Sequence, residues 1–197
     1  MLTQYIITTD SATDLNIQMR AALDAGCDWV EINATPAVSD ADITATVNQF
    51  RPEMAEKNAV LIVADRYELV KELQVDGVHM RDRSVPLSKV RVALDAWPIL
   101  GVSISKADDV HALRSSDIDY LFFEPALPSG LDTVTATAAL LNEKIVEAPL
   151  VAAGGISAGS AMKVIEAGAN SLAIDSTIAP AGADLTEAIK TFINKFK

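Results

Sequence analysis

Cysteine is almost missing: Cys27 is the only one in 197 residues. A lone cysteine cannot close an internal disulfide, so the fold must stand without one, and a reducing, cytoplasmic setting is expected. Long apolar runs are missing too. None approaches the roughly 20 residues that a membrane-spanning helix needs, so no membrane partner is expected. The opening Met1-Leu-Thr-Gln-Tyr5 carries neither a basic stretch nor an apolar one, so no signal peptide is expected. Positive charge is scarce, with 16 Lys and Arg against 27 Asp and Glu and a formal net charge of −11. Such a chain has no field to attract DNA or RNA, which argues against nucleic acid as a partner. An anionic ligand would have to be held by local backbone dipoles and a few cations. No linker or low-complexity tract interrupts the sequence, so residues 1–197 read as a single domain, long enough to bury a sizeable core.

What is present is a strict alternation of strand and helix signals. Tyr5-Ile-Ile-Thr8 is β-prone, and helical spacing follows from Asp14 to Asp24, stopped by Gly26. Trp29-Val-Glu-Ile32 reads as the second strand. A helix starting at Asp40 or Asp42 places Ile43, Val47, Phe50 and Met54 on one side, with Pro52 as a potential kink. Ala59–Ala64 is an apolar run of the kind buried on both faces of a parallel sheet. Further strands are expected at 75–79, 98–103 and 118–123, and further helices around Leu69 and Leu73 and over 85–96, 106–114, 133–146 and 185–196. With the segment described next, the sum is eight strands alternating with eight helices. Strict alternation implies parallel strands joined by right-handed crossovers, and eight units favour the closed (β/α)8 TIM barrel over an open sheet.

The most informative stretch is Leu150-Val-Ala-Ala-Gly-Gly-Ile156, a helical segment to Glu166, and then Ser171-Leu-Ala-Ile-Asp-Ser-Thr-Ile178. Two consecutive strands end in residues that offer backbone N–H groups and hydroxyls: Gly154, Gly155 and Ile156, then Asp175, Ser176 and Thr177. Glycine lets the backbone approach an anion closely, and the loops after the last two strands of such a barrel often hold a phosphate. A small phosphate ester is therefore the expected ligand class. Gly154-Gly155 also has a plainer role as the turn that ends its strand.

Other candidates fall at strand ends, where barrel chemistry occurs. Asp65 is a catalytic carboxylate, or an N-cap for the next helix. His79 is an acid or base near neutral pH, or a structural hydrogen-bonder. Glu31 and Glu124 share one barrel mouth, where they serve acid–base or metal chemistry or pair with Arg66 or Arg81. Ser103 faces a ligand or simply lines the rim. His111 is expected on the surface. Trp29 and Trp97 are expected to pack, and Cys27 reads as a small buried apolar residue. A helix face that serves dimerisation looks like an ordinary barrel exterior, which leaves a homodimer open.

The order of motifs resembles the thiamine phosphate synthase and thiazole tautomerase superfamily over nearly the whole chain. Tyr5-Ile-Ile-Thr-Thr-Asp10, Leu61-Ile-Val-Ala-Asp-Arg66, Asp76-Gly-Val-His-Met80, Leu100-Gly-Val-Ser103, Ala152-Ala-Gly-Gly-Ile156 and Ala169–Thr177 each resemble a motif of that family. The resemblance implies a single (β/α)8 barrel that joins a pyrimidine diphosphate to a thiazole phosphate, releasing pyrophosphate with Mg²⁺. It implies Asp65 as a Mg²⁺ ligand, with Asp82 as a substitute for a second aspartate whose place Ser84 takes. The catalytic positions depart from the family pattern. Where the family has Gln-x-Arg-x-Lys, this chain has Glu31, Asn33 and Thr35; Ala64 replaces an asparagine; and Pro128-Ser-Gly-Leu-Asp132 has lost the loop lysine. A departing diphosphate is clamped by cations, and one lost donor typically costs about 10²–10³ in rate.

Three functional classes follow: a transferase of thiamine biosynthesis with a rebuilt clamp, an isomerase or tautomerase acting on a phosphorylated small molecule, and a phosphate-ester binding protein without chemistry.

Overall fold

A computed structural model describes residues 3–95, 97–114 and 116–196. Eight strands alternate with helices along the chain: β1 (Thr3–Thr9), α1 (Ala12–Ala25), β2 (Trp29–Ala34), α2 (Asp40–Lys57), β3 (Val60–Ala64), α3 (Leu69–Leu73), β4 (Gly77–Met80), α4 (Leu87–Leu94), β5 (Ile99–Ile104), α5 (Asp109–Ala112), β6 (Tyr120–Phe123), α6 (Leu131–Asn142), β7 (Leu150–Ala152), α7 (Ala161–Glu166), β8 (Ser171–Ile174) and α8 (Leu185–Phe196). Every strand pairs in parallel with its sequence neighbours, and β8 closes on β1. The fold is the (β/α)8 barrel that the alternation predicts.

Successive residues of a strand point to opposite faces, and this period sorts the core into two shells. Tyr5, Ile7, Val30, Ile32, Leu61, Val63, Leu100 and Val102 point outward and bury against the helices in one large apolar cluster. Ile6, Tyr120, Phe122, Val151, Ala153 and Ala173 point inward and form a smaller cluster inside the barrel. The inward positions of β2, β4 and β5 carry Glu31, His79 and Ser103, so the smaller shell is apolar on one side only.

Local sequence explains most boundaries. Ser11 caps α1 by accepting a hydrogen bond from the Asp14 amide, and Gly26 ends it in the left-handed region at φ 81°. Ser39 and Asp42 form a reciprocal capping box at the start of α2, which runs through Pro52 without a break. A repeated stitch joins strands at the N-terminal end of the barrel. Asp76, Asp119 and Asn170 each precede an even-numbered strand. Their side chains accept from the amides of Leu61, Leu100 and Leu150, and their own amides donate back to the same three residues.

The differences from the sequence expectation have local causes. The helix expected over 106–114 is only Asp109–Ala112, because Asp109 turns back to accept from the Ser105 and Lys106 amides and holds them in a turn. The helix expected over 133–146 is shifted earlier, to Leu131–Asn142, and the chain leaves it through Lys144 at φ 55°. The last residue of the helix expected over 85–96 lies outside the described residues; the helix seen is Leu87–Leu94. The eighth strand stops at Ile174, and Ser176–Ile178 forms a 3-10 turn. Trp97 does not pack: it is 94% exposed, the largest exposure among the bulky apolar side chains of the described residues. It follows α4 and precedes β5, where no inward-facing position is available to it.

Candidate functional site

The C-terminal mouth of the barrel gathers most of the residues singled out from sequence. Glu31 is not at the end of its strand but is the third residue of β2, pointing inward and fully buried. Its Oε2 accepts from Gln4 Nε2 at 2.7 Å and lies 2.9 Å from His79 Nδ1. His79 is also fully buried, between the rings of Tyr120 and Phe122 at 5.5 and 4.6 Å. On its other side, Nε2 lies 3.0 Å from Ser103 Oγ. A continuous hydrogen-bonded relay, Gln4–Glu31–His79–Ser103, therefore crosses the barrel from β1 to β5.

Arg81, one residue beyond β4, closes over this relay. Its Nε donates to Glu31 Oε1 at 3.1 Å, its Nη1 donates to Glu124 Oε2 at 3.3 Å, and its guanidinium sits 4.9 Å above the Phe122 ring. Burial by itself would raise the Glu31 carboxyl, but the charge of His79 and the charge and hydrogen bonds of Arg81 outweigh it and hold the group below its ordinary range. Burial opposes the charged Arg81, and the Glu31 and Glu124 carboxylates more than restore it, so its acidity is weakened further. An ionised Glu31 can only accept, so His79 Nδ1 carries a proton. A charged ring, the state that depresses Glu31, donates from both nitrogens, Nε2 to Ser103 Oγ; in the neutral ring Nε2 is the acceptor, and Ser103 O–H donates to it. This is the arrangement by which a histidine takes a proton from a hydroxyl.

Arg66 does not enter the mouth. It turns outward to Asp40 at 2.9 Å and to the carbonyls of Ala34, Thr35 and Val38, pinning the loop between β2 and α2. Asp65 is not an N-cap. It has φ 58°, and its Oδ1 accepts from the amides of Arg81 at 2.7 Å and Asp82 at 2.8 Å, clasping the end of β3 to the end of β4. The helix that follows starts at Leu69 after Glu68, with no side-chain cap.

The donor set for Mg²⁺ is thin. Asp82 gives Oδ1 to the Ser84 amide and Oδ2 to the Ser84 hydroxyl, which also lowers its pKa. Asp65 already spends one oxygen on two amides. Among the described residues no group of three or more His, Cys, Asp or Glu converges as metal ligands. Among the described residues, Asp65 and Asp82 do not complete a Mg²⁺ coordination shell on their own.

On the opposite side of the mouth, a narrow cleft lies between the ends of β1, β7 and β8. Gly154, Gly155, Ile156, Asp175 and Thr177 line it, with Thr8 and Glu124 at its edge. Gly154 and Gly155 have φ of 85° and 68°. A Cβ on Gly155 would come within 2.8 Å of the Leu127 carbonyl, so the loop needs glycine both for its conformation and for its closeness to the β6 loop. Ser176 belongs to the 3-10 turn and does not line the cleft. Asp175 Oδ1 accepts from both the Thr177 amide at 2.9 Å and the Thr177 hydroxyl at 2.5 Å. Two of the groups expected to meet an anion are thus already met by a carboxylate.

The sequence of this chain matches the family model described as thiamine monophosphate synthase over residues 4–178. The chain belongs to this family. A thiamine-phosphate synthase from Bacteroides fragilis (strain YCH46) is 32% identical over 185 residues, covering 89% of this chain and 90% of its own. One from Haloquadratum walsbyi is 33% identical over 194 residues, covering 90% and 83%. Among solved structures, a thiamine phosphate pyrophosphorylase from Pyrococcus furiosus superposes with a TM-score of 0.83 at 21% identity, covering 98% of this chain and 95% of that one, a likeness of fold. No helix among the described residues is long and apolar enough to cross a membrane.

Sequence reasoning missed Gln4 and the aromatic pair Tyr120 and Phe122 that brackets His79. The signal was available in the strand period. Gln4, Glu31, His79 and Ser103 all alternate with outward apolar residues, and inward polar residues on neighbouring strands must find one another.

Proposed function

We propose that this chain is a one-domain member of its family that binds a small phosphate ester, of the thiazole phosphate or thiamine phosphate type, at the loops after β7 and β8, in the service of thiamine biosynthesis. The observation that carries the proposal is the cleft in which Gly154 and Gly155, both at positive φ, lie beside Thr177. Backbone amides in such a turn are a general solution for holding a phosphate without lysine or arginine. That suits a chain with few cations to spare.

The diphosphate half of the family reaction finds weaker support. Arg81 is the cation in the mouth, and Glu31 and Glu124 already neutralise it. A diphosphate would have to displace a carboxylate to reach it. Mg²⁺, if used, would have to arrive largely with the substrate's own oxygens, with Asp65 as the protein ligand nearest to being available.

One observation favours a second reading, proton transfer on a phosphorylated small molecule. Ser103–His79–Glu31 is an acid–base relay whose hydroxyl end is a partly exposed residue near the C-terminal end of β5. In this reading Glu31 orients His79, and His79 exchanges a proton with substrate through Ser103 Oγ.

Thermal unfolding against a ligand panel separates these readings. The panel holds thiazole phosphate, thiamine phosphate, pyrimidine diphosphate with and without Mg²⁺, and inorganic phosphate. A ligand at 100 times its Kd adds about 2.7 kcal/mol, and each kcal/mol moves the midpoint of a domain this size by roughly 2–4 °C. Stabilisation by monophosphates supports the binding site. Stabilisation by the diphosphate only with Mg²⁺ supports the transferase. A midpoint that no phosphate moves would sink the proposal.

A further inference from the structure

Among the described residues, no lysine, arginine or histidine lines the cleft between the ends of β1, β7 and β8, while two carboxylates do, Glu124 and Asp175. Backbone amides can hold a phosphate there, yet a carboxylate beside a dianion repels it. The side chain of Glu124 lies against the glycine turn, so close that a Cβ on Gly154 would come within 3.0 Å of its Cγ. Charges that near are screened only in part, since the Debye length of physiological salt is about 8 Å. An anion on this turn therefore needs a positive partner that the cleft itself lacks.

Arg81 does not fill that role. It is held by the fully buried Glu31, with Nε and Nη2 at 3.1 and 3.0 Å from Oε1. Glu124 receives only Nη1, at 3.3 Å, the long end of hydrogen-bond range. One guanidinium thus faces two carboxylates, and the charge left over sits on Glu124, whose side chain is 38% exposed. Asp175 is less available, because its Oδ1 already accepts from the Thr177 amide and hydroxyl. Ile6, Ala153 and Ala173 give the same cleft an apolar floor, which suits a short carbon chain.

We propose that the ligand of this cleft is a phosphate monoester whose short carbon chain carries a cationic nitrogen, with the phosphate on the Gly154–Gly155 turn and the nitrogen against Glu124. This rests on the reading of the cleft as a phosphate site and narrows it. Of the two ligand types named for that site, thiamine phosphate has the required character, because its thiazolium is permanently charged. Neutral thiazole phosphate lacks it. Glu124 is then a specificity-determining residue. It disfavours a bare anion and favours one that brings its own cation.

The test uses the whole chain and a pair of compounds of equal shape: phosphocholine, and its neutral analogue in which a tert-butyl group replaces the trimethylammonium group. Phosphorus resonance titrations give each Kd at about pH 8, well above a second phosphate pKa of about 6. A chelator keeps metal ions from bridging phosphate and carboxylate. Phosphocholine is expected to bind about fivefold tighter than the analogue. Glu124→Gln keeps the size and removes the charge, so it should abolish that preference and tighten inorganic phosphate. If inorganic phosphate binds but the two esters bind alike, the inference falls and the phosphate site stands. A preference that survives Glu124→Gln also overturns it. If no phosphate compound binds, the phosphate site is refuted and the inference goes with it. The comparison in the parent chain decides the matter even if the variant does not fold.

Discussion

Arg81 and Glu31 form an ion pair inside the barrel mouth, with Arg81 Nη2 3.0 Å from Glu31 Oε1 and the carboxylate fully buried. The motif that this stretch resembles would place an amide at Glu31 and cations at Asn33 and Thr35. In this chain a carboxylate stands there, and Arg81, one residue beyond β4, turns in to meet it. The mouth keeps a positive group but spends it internally.

This predicts how to restore diphosphate binding. Asn33 is partly exposed and Thr35 exposed, at the end of β2, clear of the buried pair. Asn33→Arg with Thr35→Lys should tighten binding of the pyrimidine diphosphate at least tenfold, since one charge-assisted hydrogen bond contributes about 1.5–3 kcal/mol. Calorimetry in the presence of Mg²⁺ checks it. An unchanged affinity would mean that the β2 exit does not face the diphosphate.

Glu31→Gln should destabilise the barrel by about 3–5 kcal/mol, because it leaves Arg81 with only the half-exposed Glu124 and weakens the hold on His79. The pH dependence follows from sign. The Glu31 carboxyl is depressed in the folded state, so its stabilisation is present above the ordinary glutamate range and is lost as pH falls through the depressed value. Urea unfolding from pH 7 down to pH 3 should show a steep acid loss in the parent chain and a shallower one in the variant. Equal acid slopes would contradict this role.

Gly155→Ala should lower stability by about 1–3 kcal/mol, since an alanine at φ 68° is strained and its Cβ meets the Leu127 carbonyl. More telling, the variant should lose any thermal shift with inorganic phosphate even at temperatures where it is fully folded. Circular dichroism with and without phosphate separates the two effects.

Asp175→Ala should act in the opposite direction. It removes a negative charge from the cleft and releases the Thr177 amide and hydroxyl. Phosphate affinity is expected to rise about five- to tenfold, measured by calorimetry. A fall would mean that Asp175 chiefly holds the loop in shape.

The barrel itself was legible because its signals are local and repeated. Gly26 at φ 81°, Ser11 and Ser39 as caps, and apolar runs such as Leu61-Ile-Val-Ala64 each specify an element without help from afar. Of the elements that shifted, α5 is set by Asp109 reaching back across a turn, and α6 starts after Gly130 with no side-chain cap to mark it. The candidate site was legible as a set of residues but not as a circuit. Glu31, His79 and Ser103 stand 48 and 24 positions apart in sequence, and only the barrel's register makes them partners. Of the two readings of Asp65, the N-cap fails, because its partners are the amides of Arg81 and Asp82, which carry no side-chain signature. Trp97 was misread because aromatic identity says nothing about which face a short connection turns to solvent.

The buried Glu31 has a consequence for how this lineage can change. Its neighbours Gln4, His79 and Arg81 are matched to a carboxylate, so an amide at that one position leaves the guanidinium with Glu124 alone. A substitution at Glu31 alone therefore costs stability, and changes at its partners have to accompany it. Drift at the exposed rim, at Asn33 or Thr35, meets no such barrier. Natural descendants of this protein should therefore vary at the rim while keeping the glutamate, histidine and arginine as a block.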